Sequence, residues 1–539
     1  MKPIKGVLVS SIVAASLLGS TSAWAAGLSG DALRNVDGRI MADVTTQAGI
    51  GDFEDKDGAA VSAAFRSPTS VAVLPDGSIV VADTRNHNLR QIAASLVSTF
   101  AGPALPVLVN DLGFPVGGQA DGKAEESFFN EPAGLAVDAQ GTVYVADAGN
   151  NTIRKVAKDG TVTTLAGNGL VGSKDGKGTE AQFNYPTDVA VAKDGTVYVA
   201  DSLNHAIRKI AADGTVTTLN AASTRTIQIR PGEATFAGDY ADGSLAQAKF
   251  NEPSGLAIDA KGNLYVSDTG NQRIRYIDLA AGKVTTVAGS GTAADGSSLY
   301  EQDELYAAGD YADGAAGAAM FDFPKGIALT SEGGLVIADS LNHAIRYLVD
   351  GKVTTLAGTV KTGESDGVES AAQFYNPTDV AVAADGSLVI ADAYNNKIRK
   401  LTPYQLPAGL PAEGVKVVHN HEAIAFDAQP EITDGRTMVP VRAIGEAFGY
   451  EVKYEERAGT QVVQLVKGDV TVELSVGQTG VTKLETGKDA VSGETDVAPY
   501  IKQDRTYVPV RFFAEQIGLD VQWDQATTTA ILREKSSAN

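Results

Sequence analysis

The feature of the sequence that most restricts its fold is a block of residues that occurs six times between positions 57 and 399. Each block has an Asp-Gly pair, a Phe eight residues after that Asp, a Pro three residues later and a second Asp fifteen residues after the Pro. An Asn and an Arg follow the second Asp by three and seven residues. The prolines are Pro68, Pro132, Pro186, Pro253, Pro324 and Pro377. Self-similarity at this period is typical of solenoids and propellers.

Each block also holds four short β-type runs, which in the second block are GLAV, TVYVAD, TIRKV and VTTLAG. Alternating, β-branched runs bounded by Gly and Asp-Gly turns predict strands. Four strands per repeat predict a propeller blade. The predicted fold class is therefore mainly β, with a six-bladed β-propeller over 44–402.

The outermost run of the last block is missing, because nothing of the VTT type follows Arg399. The segment VTTQAG at 44–49 precedes the first block and has no blade of its own. We therefore predict that this amino-terminal strand closes the last blade. The pairing would cover two sheet edges that otherwise invite aggregation.

These blocks resemble the NHL repeat family, whose pattern is a Pro, a Gly-Ile-Ala-Val-like strand, a Val-Ala-Asp ending and an Asn-His-x-Ile-Arg run. The string ADSLNHAIR stands at both 200–208 and 338–346. The resemblance implies a six-bladed propeller that is used mostly for binding, with a minority of relatives that are enzymes. Fold alone does not choose between those roles.

Charge and cysteine content exclude several classes of function. With 44 Lys+Arg against 66 Asp+Glu, the net charge is −22, so binding to the phosphates of a nucleic acid is not expected. The absence of Cys removes disulfides, thiolate metal sites and cysteine nucleophiles. Residues 1–25 read as a signal peptide cleaved after Ala25, with no later membrane span. We therefore expect a secreted or extracellular protein associated with the cell envelope.

Residues that break the sixfold symmetry are the candidates for binding. Asp188 and Asp379 stand two residues after the repeated Pro in blades that face each other across the axis. They would either hold Ca²⁺ beside the channel, together with carbonyls and water, or act as acceptors that cap their own turns. Lys325, next to another repeated Pro, is a further candidate for ligand binding.

Three connections that enter blades are lengthened, at about 101–120, 220–241 and 290–312. The last two share the string GDYADG, which contains Tyr240 and Tyr311, and the last also offers Tyr300 and Tyr306. Aromatic rings among carboxylates suit a sugar or peptide ligand, although loops of this composition are also often only solvated. We expect all three insertions on one face, which is where repeat scaffolds build binding surfaces.

The spacing of the histidines does not favour a metal site. His87, His205 and His343 follow the repeated Asn in alternate blades, so the disc spreads them too far apart for one zinc ion. The same residues match the NHL pattern itself. His419 and His421 have a copper-competent i, i+2 spacing, but they fall at a predicted hairpin turn and lack a third His nearby.

After a Pro-rich linker at 403–414, a second duplication occupies 415–535. Its copies share the signature Arg-Thr-x-Val-Pro-Val-Arg at an offset of 69 residues, starting at Arg436 and Arg505. This region resembles the copper amine oxidase N-terminal-like domain, and it predicts a small duplicated α+β fold. No amine oxidase catalytic domain is present, so the resemblance does not imply oxidation.

These observations favour an exported ligand-binding or adhesion protein, or an envelope-associated scaffold, that binds through the loop-rich face of the propeller. Expected partners are a cell-wall polymer, a glycan or a protein. No cofactor is certain, and Ca²⁺ is the one that the acidic pair would accept. The alternative is a metal-dependent hydrolase or lyase with Ca²⁺ or Zn²⁺ at the channel. The sequence leaves enzyme activity open and favours a binding role.

Overall fold

The structure is a computed structural model that describes residue 28 and residues 32–103, 109–111, 113–230, 232–290 and 299–536. The predicted signal peptide lies outside the described residues. Strands dominate the fold, and none of the helices in this part of the chain has the length and apolar character needed to cross a bilayer.

Six antiparallel sheets form the blades of a propeller, numbered here in chain order of their innermost strands. The innermost strands are Pro68–Val73, Pro132–Val137, Pro186–Val191, Pro253–Ile258, Pro324–Leu329 and Pro377–Val382. The second strands are Ile79–Asp83, Val143–Asp147, Val197–Asp201, Leu264–Asp268, Leu335–Asp339 and Leu388–Asp392. Neighbouring innermost strands contact one another all round the axis, and the last contacts the first. The ring of six blades is therefore closed, as predicted.

Each blade has five strands, one more than the predicted four, and the additional strand lies at the outer edge. The third strands are Asn88–Ala93, Thr152–Val156, Ala206–Ile210, Arg273–Asp278, Ala344–Val349 and Lys397–Pro403. The fourth are Leu96–Ala101, Thr161–Ala166, Thr215–Thr218, Lys283–Ala288, Lys352–Ala357 and Ala42–Ala48. The fifth are Gly58–Ala59, Gly122–Lys123, Gly176–Lys177, Gly243–Ser244, Gly314–Ala315 and Gly367–Val368. Each two-residue strand begins with the Gly of the Asp-Gly pair.

The amino-terminal strand Ala42–Ala48 closes blade 6. It pairs antiparallel with Lys397–Pro403, with Val44 opposite Leu401, and on its other side with Gly367–Val368. Val44 and Leu401 are fully buried in one apolar cluster that also includes residues of blade 5. The predicted closure is confirmed.

Residues 416–534 form a second domain with three sheets and two helices. The sheets comprise, in order, Glu422–Ala423, Lys416–His419, Thr529–Glu534 and Leu519–Asp524; Glu431–Thr433, Arg436–Pro440, Arg505–Pro509 and Tyr500–Lys502; and Glu451–Arg457, Thr460–Lys467, Val470–Ser475, Gly480–Glu485 and Val491–Glu494. The helices are Val441–Ala447 and Val510–Gln516. The copies meet at equivalent residues, since Val439 pairs with Val508. Both are buried in one shared core, so the duplication builds one domain about a local twofold axis.

This second domain packs directly against blade 6. Arg533 is 1% exposed and lies 2.8 Å from the carboxylate of Glu369, which is fully buried beside the closing strand. Glu369 also accepts hydrogen bonds from the Asn35 side chain and from the backbone N–H of Ala42. The linker therefore joins two docked domains, with the contact located where the ring closes.

Candidate functional site

The repeated charged residues form the same buried lock in every blade. In blade 1, Arg90 lies 3.0 Å from Asp83 at the end of strand two and 2.5 Å from Asp57 of the Asp-Gly pair. Its guanidinium also stacks on Phe65 at 5.3 Å, a cation–π contact. The other locks centre on Arg154, Arg208, Arg275, Arg346 and Arg399. These charges are therefore already paired with one another.

The repeated histidines join neighbouring blades through hydrogen bonds. His87, His205 and His343 accept, at Nδ1, the backbone N–H of the residue before the next repeated Pro, at 3.0–3.2 Å. Asn151 and Asn396 do the same with a side-chain oxygen. Burial lowers the pKa of His205 to about 4, which keeps its ring neutral and able to accept. Within the described residues, no three His, Asp or Glu side chains are placed to hold a metal ion.

The residues before the six prolines stand around the channel mouth, on the face where the blades are entered. All have a left-handed backbone and they differ in type: Ser67, Glu131, Tyr185, Glu252, Phe323 and Asn376. The hydroxyl of Tyr185 donates to Glu131 at 3.0 Å, and that of Tyr306 donates to Glu252 at 3.1 Å. The mouth is therefore acidic and aromatic, and it does not follow the sixfold symmetry.

Asp188 and Asp379 line the channel just below this mouth. Asp379 accepts the Ser70 hydroxyl at 2.6 Å and the Val71 N–H at 3.0 Å, both from blade 1. Asp188 accepts the Leu256 N–H of blade 4 at 2.8 Å. Each carboxylate thus bonds to the following blade, and Asp379 also accepts the N–H of Val380 in its own strand at 2.8 Å. Calcium takes six to eight oxygens, so carbonyls and water would have to supply most ligands.

The two carboxylates also affect each other electrostatically. Burial raises the pKa of Asp379 to about 6. The pKa of Asp188 is raised as well, first by burial and then by the negative charge of Asp379. A Cβ at Gly326 would collide with Asp379, and one at Gly134 with Asp188. The glycines therefore leave room for each carboxylate against the neighbouring innermost strand. The Ca²⁺ site stays a prediction.

The other candidate residues lie at different places on the propeller. The ring of Tyr240 stacks on Arg273 and Arg275 at 4.6 and 4.7 Å, and its hydroxyl lies 2.9 Å from Thr286 of an outer strand. Tyr311 likewise contacts Arg346 and the outer-strand residue Thr355. Both rings thus sit towards the rim rather than beside the acidic pair, and their binding of a ligand remains a prediction.

Lys325 lies at the channel mouth. Burial lowers the pKa of its ammonium group, and the nearby carboxylate of Glu252 counteracts that effect. Sequence reasoning missed Glu252, which accepts the hydroxyl of Tyr306. The signal was present, since the residue before the repeated Pro is of five different types in the six blocks.

Two of the three insertions pack together beside the mouth. The strands Thr226–Arg230 and Glu233–Phe236 form a hairpin from the loop that enters blade 4. Arg225, at its base, donates to the backbone oxygens of Glu304 and Leu305 at 2.8 Å in the next insertion. The third insertion places Phe114 6.1 Å from Phe53. Loops entering blades therefore build a wall on the face that holds Lys325 and Glu252.

Comparison with known families agrees with this geometry. Residues 65–92, 129–156, 183–210, 250–275 and 374–401 match the NHL repeat model. Five of the six blades are NHL repeats. Blade 5 is not among the matched segments, yet it carries the same lock around Arg346. Residues 418–532 match the model described as copper amine oxidase N-terminal domain.

Two similar proteins match part of this chain with part of their own length. The Arabidopsis thaliana protein SUPPRESSOR OF QUENCHING 1, chloroplastic, is 32% identical over 297 residues, which are 52% of this chain and 26% of that protein. NHL repeat-containing protein 2 of Gallus gallus is 30% identical over 362 residues, or 62% of this chain and 46% of that protein. The chain therefore spans between a quarter and half of these relatives.

Among solved structures, an auxiliary nutrient binding protein from Bacteroides thetaiotaomicron superposes with a TM-score of 0.46 at 16% identity, covering 67% of this chain and 76% of that one. A protein of unknown function from the same organism gives a TM-score of 0.46 at 20% identity, covering 68% and 76%.

Proposed function

We propose that this protein is an exported binding protein that holds a glycan, a cell-wall polymer or a protein segment on the entry face of its NHL propeller, at the cell envelope. The observation that carries the proposal is the contrast between two sets of polar residues. The residues repeated in all six blades are bonded to one another, whereas the mouth residues vary. Glu252, Tyr306 and Lys325 therefore form one polar sector of the mouth, and Glu131, Tyr185 and Arg85 form another. The sector that holds Lys325 is the one beside the two packed insertions.

This sector supplies what a polar ligand requires. Tyr306 offers an aromatic ring, Glu252 two acceptor oxygens and Lys325 up to three donors. The adjoining loop wall supplies further contact area, and binding residues are commonly placed on loops held by a rigid scaffold. These contacts support recognition of hydroxyl-rich or peptide ligands.

The test is a glycan and peptidoglycan array probed with the chain from residue 26 onwards. We expect a bound ligand that Lys325→Met no longer retains. Lys400→Met is the matched control, because Lys400 pairs with Asp385 in the turn between strands one and two, which lies on the opposite face. A ligand that the Lys325 variant binds as well as the wild type would refute the assignment to this face.

Export has its own test, which is mass spectrometry of the protein recovered from the producing cells. We expect the first residue to be Ala26, after cleavage of residues 1–25. A recovered chain that still starts at Met1 would contradict export by this signal.

The acidic pair in the channel favours a second candidate, a metal-dependent hydrolase or lyase. Calorimetric titration of Ca²⁺ into the wild type and into the double variant Asp188→Asn with Asp379→Asn decides between the two. Heat in the wild type that is absent from the double variant would support a channel metal. No heat in the wild type would remove calcium from consideration, and metal analysis of the purified protein tests zinc.

A further inference from the structure

The second domain contains two grooves that the duplication relates to each other. Groove A and groove B each enclose about 360 Å³. Every residue lining groove A has its counterpart 69 positions away among those lining groove B. Groove A contains Arg442, Tyr454 and Ile501, and groove B contains Arg511, Trp523 and Ile432.

Each groove is assembled from both copies of the repeat. In groove A, Arg505 of the second copy lies 2.7 Å from Asp427 of the first. In groove B, Arg436 of the first copy pairs with Asp496 of the second. These ion pairs hold one lip of each groove, so the two grooves have the same construction. Their linings differ at three positions, where Tyr454, Gln461 and Asp504 of groove A correspond to Trp523, Ala530 and Gly435 of groove B.

Each groove holds exposed residues that the two copies share. Ile432 and Ile501 are both 52% exposed, so burial in the core does not explain why both are isoleucine. Arg442 and Arg511 are also exposed, and neither belongs to any ion pair among the described residues. By contrast, the neighbouring helix position has diverged from Ala443 to Phe512.

The groups in each groove suit one class of ligand. An aromatic face beside an exposed isoleucine accepts the apolar face of a sugar ring. A guanidinium without an ion partner is the group best shaped to take a carboxylate through two parallel hydrogen bonds. We propose that grooves A and B are two equivalent binding sites for a saccharide that carries a carboxylate, separate from whatever the propeller binds.

Groove B has a built-in reporter. In the chain from residue 26 onwards, Trp523 is the only tryptophan. Titration with hexagalacturonate should therefore change the Trp523 fluorescence, and calorimetry should give two sites per chain. Arg511→Ala should weaken the fluorescence-detected affinity by about tenfold or more, the usual loss for a charge-assisted hydrogen bond.

Arg442→Ala is the matched variant, because it removes the same group from groove A. It should leave the Trp523 response unchanged and lower the calorimetric stoichiometry from two to one. Both arginines are exposed, so both variants should fold, and circular dichroism checks this. The propeller variant Lys325→Met should bind hexagalacturonate normally, which separates this test from that of the entry face.

Three results would overturn the proposal. One is the absence of binding up to about 10 mM hexagalacturonate. Another is equal binding of the neutral cellohexaose, because the carboxylate would then not be recognised. The third is equal binding of polyphosphate. That result would show that the grooves recognise negative charge alone and that the aromatic ring does not contribute to binding.

Discussion

Replacing Arg533 by Ala should lower the free energy of unfolding of the second domain, so that this domain unfolds before the propeller. Arg533 and Glu369 are 1% and 0% exposed, and the pair joins the second domain to blade 6. The substitution leaves the Glu369 carboxylate buried without its cation. Removing one partner of a buried ion pair destabilises by about 3–5 kcal/mol.

The value expected here is at the lower end of that range. Glu369 keeps its hydrogen bonds from the Asn35 side chain and the Ala42 N–H, at 2.8 and 3.0 Å. These bonds offset part of the lost attraction, so we expect about 3 kcal/mol. With a urea slope of about 2–3 kcal/mol per molar, the unfolding midpoint would fall by about 1 M.

The assay follows Trp523 fluorescence for the second domain and far-ultraviolet circular dichroism for the propeller during urea unfolding. In the wild type the two signals should change together, and in Arg533→Ala the Trp523 transition should move to lower urea first. Arg457→Ala is the control, since Arg457 is nearly half exposed in its pairs with Glu455 and Glu473 and should lose at most about 1 kcal/mol. Equal midpoints for both variants would refute the role assigned to the buried pair.

Three further outcomes follow from the propeller. Deleting residues 26–50 removes the closing strand and should sharply lower the melting temperature, whereas an unchanged melt would disprove the closure. Because the pKa of Asp379 is about 6 in the folded chain against 3.8 unfolded, folding stability should fall by roughly 2–3 kcal/mol from pH 4 to pH 8 on this account. Asp379→Asn should flatten that part of the pH profile measured by urea unfolding, and an unaltered profile would show that the carboxylate does not titrate there. His205→Asn should keep the wild-type stability, because Asn151 makes the same bond in blade 2, while His205→Ala should lose about 1–3 kcal/mol; equal stability of the two variants in calorimetry would contradict that role.

Much of the propeller could be predicted because its information is local and repeated. The spacing of Asp57, Asp83 and Arg90 recurs six times, and a missing outer run near residue 400 implied the closing strand. The fifth strands escaped prediction because two residues carry no measurable periodicity.

No sequence pattern indicates the contact between Arg533 and Glu369, because the two residues are 164 positions apart and neither belongs to a repeated motif. For the same reason the Pro-rich linker at 403–414 did not indicate that the two domains dock. The rim positions of Tyr240 and Tyr311 depend on cation–π stacking against the repeated arginines, which a loop composition does not reveal.

Blade 6 combines the first strand of the propeller in chain order with its last one. The strand Ala42–Ala48 must wait for Lys397–Pro403, about 350 residues later. At about 5–20 residues per second, a ribosome needs roughly 20–70 s to bridge that interval. Throughout that time the nascent chain carries unpaired strand edges, so molecular chaperones have a long window in which to act on it.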